Sequence, residues 1–177
     1  MIHGHAKTDD DYQRRRRDEM LKPFYQKFGH ESRFVFMDKG KLSERLQKEA
    51  IDTILQKEGN NIITIEEKIV RWPGYLYEKI CLEFWSCTNK GYERPGWMAY
   101  GQCDFLFYCL TLSDGISALG YLMPFKKLQN WFFENNRFAR YPVWVSDQFN
   151  HTECRLVSIQ DVLNDIPETE VFILEGK

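Results

Sequence analysis

The spacing of apolar residues changes several times along this chain, and each change marks a predicted element. Residues 9–26 are charged, with Thr8 and Asp11 in a capping-box relation; they read as a helix disturbed near Pro23 and stopped at Gly29. Residues 41–49 carry Ser43 and Leu46 in a helix-compatible pattern. The period then shortens to two. Residues 50–56 (AIDTILQ) and 61–71 (NIITIEEKIVR) are rich in β-formers and flank a polar turn at 57–61, which predicts a hairpin. Trp72, Pro73 and Gly74 break the run. Residues 75–87 predict a third strand, 88–96 a loop and 96–102 a short helix. The run CDFLFYCLTL (103–112) is nearly continuously apolar and suits a strand covered on both faces. A turn at 113–115, a strand at 116–124 and a helix at 126–135 follow. The tail at 155–167 predicts a short strand and a helix with Ser158 at its N-cap. The class is α/β (α+β), with a central mixed β-sheet flanked by helices.

Composition adds bounds. A length of 177 residues fits one domain. Within it lie a charged helical segment over 1–30, a core sheet over 40–125, and C-terminal helices and a strand over 126–177. Hydrophobic residues make up 43% and aromatics 15%, enough for a sizeable core. The net charge of -2 excludes a globally basic, nucleic-acid-coating protein, while 24 Lys and Arg leave room for a local basic patch. No apolar run reaches the ~18 residues of a membrane helix, and the N-terminus lacks a secretory apolar stretch. The expectation is a cytoplasmic protein with no membrane contact. Its five cysteines, Cys81, Cys87, Cys103, Cys109 and Cys154, are an odd number and are expected as buried reduced thiols. His3, His5, His30 and His151 are scattered, and no metalloprotease helix, nucleophile elbow or phosphate loop is present.

Strand alternation singles out one segment for chemistry. In IITIEEKI, Glu66 and Lys68 share a face, while Glu67 points the other way with Ile63, Ile65 and Ile69. Charged side chains on a β-branched strand are costly if buried without a task. A hairpin can bring Asp52 opposite Glu66. Two carboxylates can hold Mg²⁺ or Mn²⁺, with the Glu67 backbone carbonyl as a third ligand. Such an ion polarises a phosphate and acidifies a bound water. The Lys68 ammonium would orient that water and stabilise developing negative charge. Glu44 and Glu49 on the preceding helix, Glu83 within an apolar strand and Gln102 beside the short helix are supporting candidates.

The order of elements, with Asp52 and then Glu66-Glu67-Lys68, resembles the PD-(D/E)XK restriction-endonuclease-like superfamily over residues 40–125. Ile51 stands where that motif's proline would be, and an extra strand follows Lys68. The resemblance implies a metal-dependent nuclease acting on DNA, with Asp52 and Glu66 as metal ligands and Lys68 as the catalytic lysine. It also admits a catalytically silent member of the fold, acting as a nucleic-acid-binding or protein-interaction module. Nucleases that cut both strands often form homodimers, but no dimer face is legible here.

Candidate contacts to nucleic acid are Arg14, Arg15, Arg16, Arg17, Arg71, Arg94, Lys126 and Lys127. The four consecutive arginines spread around a helix, which also suits a solvated face. Tyr92, Trp97 and Tyr100, with Trp72 and Trp85, could stack on bases or fill the core. Asp104 suits capping.

Overall fold

A computed structural model of the chain describes residues 12, 14–27, 31–34, 41–57, 61–70, 78–88, 93–112, 116–145 and 152–175. The β-branched run at its centre forms the longest strand, β3 (Asn61–Val70), with β1 (Glu31–Phe34) and β2 (Thr53–Lys57) preceding it. β2 pairs antiparallel with both β1 and β3. On the other side of β3, β6 (Phe105–Thr111) runs parallel, with Ile65 opposite Phe105 and Val70 opposite Leu110. β7 (Ser117–Pro124) and β10 (Glu170–Glu175) complete a six-stranded mixed sheet of order β1-β2-β3-β6-β7-β10.

A parallel pair cannot be closed by a tight turn, so the chain must cross over between β3 and β6. The crossover contributes to a second layer. β4 (Lys79–Cys87), β5 (Arg94–Pro95), β8 (Val143–Val145) and β9 (Glu153–Ser158) form a four-stranded antiparallel sheet of order β5-β4-β9-β8.

Helices cover what the sheets leave open. The N-terminal helix has a π-helical stretch at Arg17–Leu21, then continues as α1 (Lys22–Lys27). α2 (Lys41–Lys48) precedes β2, and α3 (Trp97–Tyr100) is a single turn before β6. α4 (Phe125–Phe133) runs into a 3-10 segment, Glu134–Arg140, and α5 (Ile159–Asp165) follows β9.

Alternation along β6 feeds two cores. Leu106, Tyr108 and Leu110 pack with Ile80, Leu82 and Val157 of the second sheet and with Leu128 and Phe132 of α4. Phe107 and Cys109 face the other way, toward Met20, Leu21 and Tyr25 of the N-terminal helix. The continuous apolar run thus reflects burial on both faces. The Tyr108 hydroxyl accepts the Cys81 backbone N–H at 2.9 Å, joining the layers. α3 is seated on β4 at Gly96, whose N–H donates to the Phe84 carbonyl at 2.7 Å. A Cβ there would lie 2.4 Å from the Glu83 carbonyl oxygen, so only glycine permits this approach.

Several expectations are corrected. Cys81 and Cys154 form a disulfide between β4 and β9, with Cα atoms 5.6 Å apart, while Cys103 and Cys109 are free and buried. Spacing along one strand hid this pairing: Glu83 pairs with Cys154, which brings Cys81 diagonally beside it from 73 residues away. The helix predicted at 126–135 ends earlier, at Phe133, and Asn135 and Asn136 adopt positive φ of 51° and 54°. Asparagine tolerates this region better than most residues. Ser158 occupies the N-cap of α5 without a side-chain capping bond. β1, β5, β8 and β10 were not foreseen. The Thr8–Asp11 box, Gly29, the four histidines, Arg71, Trp72–Gly74 and Tyr92 lie outside the described residues. Among the described residues no helix is long and apolar enough to cross a membrane.

Candidate active site

Asp52 sits where the β2–β3 ladder runs out. Its N–H donates to the Ile65 carbonyl at 2.9 Å, after which β2 offers β3 no further pairing. The Asp52 side chain takes over: Oδ2 accepts the Glu67 N–H at 3.0 Å. An Asp at this point therefore satisfies a backbone donor that would otherwise be left at an open strand edge.

Glu66 and Lys68 share the face of β3 that looks toward the second layer, as alternation requires. Glu66 is only 4% exposed, and Lys68 Nζ donates directly to its Oε1. Trp97, on α3, lies beneath them, with Lys68 Nζ 5.2 Å from its ring centroid, within cation–π range. Burial pushes the Glu66 carboxyl up to about 7; the Lys68 ammonium opposes this and the Asp52 carboxylate adds to it. For Lys68, burial favours the neutral amine, but Glu66, Asp52 and Glu83 outweigh it and hold the group above its ordinary value. Lys68 is thus a fixed ammonium among three carboxylates. Tyr100, one turn after Trp97, is raised by burial and then by the negative charges of Glu83 and Glu66.

The other candidates separate into those near this cluster and those engaged elsewhere. Glu83 acts on Lys68 electrostatically and accepts a bond from Ser86 Oγ at 2.5 Å. The Glu49 carboxylate pairs with Arg45 at 3.0 Å, while its backbone carbonyl accepts the Gln102 N–H at 3.0 Å. Gln102 has an exposed side chain lining a 640 Å³ cavity with Tyr100, Asp104 and Lys126. Glu44 is exposed on α2, and Arg94 is exposed on β5. Asp104 accepts both the Thr64 N–H and hydroxyl at 2.8 Å, which ties the entry of β6 to β3 rather than capping a helix. Lys127 pairs with Glu168 at 2.5 Å and Lys126 donates to Gln129 at 2.8 Å.

The arginine run is not a uniform solvated face. Arg14 and Arg15 are exposed, but Arg16 and Arg17 are buried. Arg17 Nε donates to Glu67 Oε2 at 2.5 Å, and its Nη2 lies 3.5 Å from Asp52 Oδ2. Tyr25 donates to the other Glu67 oxygen at 2.9 Å. Glu67 is therefore held inside the second core, on the opposite face from Glu66. Sequence reading missed this grip. Its signal was the buried-face position of Glu67 among isoleucines, which demands a cationic partner.

Among the described residues no three His, Cys, Asp or Glu side chains are grouped to hold a metal ion. Two carboxylates are compatible with Mg²⁺ all the same, because that ion commonly keeps several waters and takes one or two protein carboxylates. The crowding of Asp52 and Glu66, which helps raise Glu66, is the kind of repulsion a divalent cation relieves. No protein-family model matches this chain, and no curated protein or solved structure is detectably similar to it.

Proposed function

We propose that this chain is a divalent-metal-dependent nuclease hydrolysing DNA phosphodiester bonds, with a restriction-endonuclease-like core of the PD-(D/E)XK kind. The observation that carries the reading is the cluster itself: Lys68 bonded to Glu66, with the Asp52 carboxylate close enough to bias both. The order of α2, Asp52, β2 and the Glu66-x-Lys68 strand supports the same assignment.

Asp52 and Glu66 would hold Mg²⁺ or Mn²⁺. When bound, the ion supplies Lewis acidity toward the phosphate and lowers the pKa of a coordinated water. The chain's own residues do the rest. Lys68 is held as an ammonium, so it stabilises charge on the phosphoryl oxygens rather than accepting the water's proton. Burial and then the nearby Asp52 carboxylate raise the Glu66 carboxyl, and a bound cation would relieve that repulsion. Incubation of plasmid or branched DNA with Mg²⁺ or Mn²⁺ tests the proposal. Wild-type protein is expected to cleave, and Asp52→Ala or Lys68→Ala to be slower by about 100-fold or more. Equal cleavage by the variants would sink the mechanism.

One observation favours a second reading, a catalytically silent member of this fold that binds nucleic acid or protein. Each carboxylate already faces a cationic side chain, Glu66 with Lys68 and Asp52 with Arg17. Salt-sensitive retention of DNA, with no cleavage under any divalent ion, would select this alternative.

A further inference from the structure

Arg17 touches two carboxylates with different environments. Glu67 is fully enclosed on the back of β3, and Asp52 stands at the strand's open edge beside Glu66. Neutralising Glu67 alone would need one cation. A guanidinium adds a planar fork that can serve both groups, which a lysine ammonium cannot do in the same way. The local backbone also departs from the ordinary helix at this residue. The π-helical stretch begins at Arg17 and runs to Leu21. Such wide turns are rare and recur at functional sites. Here the stretch accompanies burial of the consecutive residues Arg16 and Arg17, and of Met20 and Leu21.

We propose that Arg17 is a positioning residue for Asp52: with the Glu67 N–H it fixes Asp52 Oδ2, leaving Oδ1 for a divalent cation shared with Glu66. The N-terminal helix is then part of the metal site, although none of its side chains is a ligand. This inference rests on the assignment of Asp52 and Glu66 as metal ligands.

Two groups meet the one oxygen: the Glu67 N–H donates to it at 3.0 Å, and Arg17 Nη2 forms an ion pair with it at 3.5 Å. The backbone donor alone leaves the carboxylate free to rotate about its last torsion. The ion pair with Arg17, which also grips Glu67 on the back face of β3, restricts that rotation. Partners that orient metal ligands in this way typically change metal affinity by 10–100-fold when removed.

The test must separate positioning from folding, because Arg17→Ala alone strands Glu67 as an unpaired buried charge. The double variant Arg17→Met, Glu67→Gln avoids this. It removes both charges, keeps an acceptor for Tyr25, and keeps the residue 67 N–H for Asp52. Mn²⁺ titration by calorimetry, with Mn²⁺ as the only ligand, is the readout, and thermal melting confirms folding. The expected result is a folded double variant that binds Mn²⁺ about tenfold more weakly than wild type. Unchanged affinity would make Arg17 a partner of Glu67 only and overturn the proposal. Tighter binding would overturn it too, by making Arg17 a competitor of the ion. Wild type that binds Mn²⁺ yet cuts no DNA removes the nuclease reading and leaves this inference standing. Wild type that binds no Mn²⁺ overturns both.

Discussion

Glu66 and Glu67 are adjacent on one strand and almost equally buried, 4% and 1% exposed, yet the two faces of β3 treat them differently. Glu67 meets a guanidinium and a tyrosine hydroxyl, so both of its oxygens are accounted for. Glu66 has Lys68 on one oxygen and a second carboxylate, Asp52, beside it. The back face thus resolves a buried charge, and the front face leaves one under-compensated. A group that neighbouring side chains satisfy is part of the scaffold. A group held near neutrality beside a like charge has capacity left for a ligand.

The largest effect should come from the resolved side. Glu67→Ala leaves Arg17 buried without its main partner and should cost about 3–5 kcal/mol in denaturant unfolding. Glu66→Gln, by contrast, should change stability at neutral pH by less than about 1 kcal/mol or raise it, because it removes a charge that burial disfavours. Equal losses would erase the distinction between the faces.

A smaller effect appears in the pH dependence. The folded chain holds the Glu66 proton up to about 7, above its ordinary 4.5. Between these values the native state binds more protons than the unfolded state, so this residue's contribution to stability falls as pH rises through the window and is level above it. Burial raises Glu67 in the same direction. The difference between wild type and Glu66→Gln therefore isolates Glu66. A stability difference independent of pH from 4 to 8 would contradict the assignment. The smallest effect belongs to an ion pair in the open. Lys127 and Glu168 have side chains 57% and 50% exposed, so Lys127→Ala should leave the unfolding midpoint almost unchanged in the same experiment.

Much of this contrast was legible in the sequence. Alternation in IITIEEKI separated Glu66 and Lys68 from Glu67 without knowledge of partners. The apolar run at 103–112 announced a strand covered on both faces. What could not be read was which distant residue answered a local demand. Glu67 required a cation, but four consecutive arginines offered no way to choose Arg17, because a π-helical stretch breaks the regular 3.6-residue period on which such a choice depends. Cys154 was hidden from Cys81 for a related reason: their pairing is set by antiparallel register, not by spacing in the chain. The short edge strands β5 and β8 carry two and three residues, too few for periodicity to register.

The crossover imposed by the parallel β3–β6 pair has a consequence for dissecting the molecule. The chain passes from the six-stranded sheet to the four-stranded one after β3, returns before β6, leaves again after β7 and returns before β10. Four covalent crossings stitch the layers, so no single cut yields two fragments that each own a complete sheet. A split at any connection between β4 and β9 should give halves that each contain strands of both layers. They would be mutual templates, recoverable by co-expression but not as autonomous pieces.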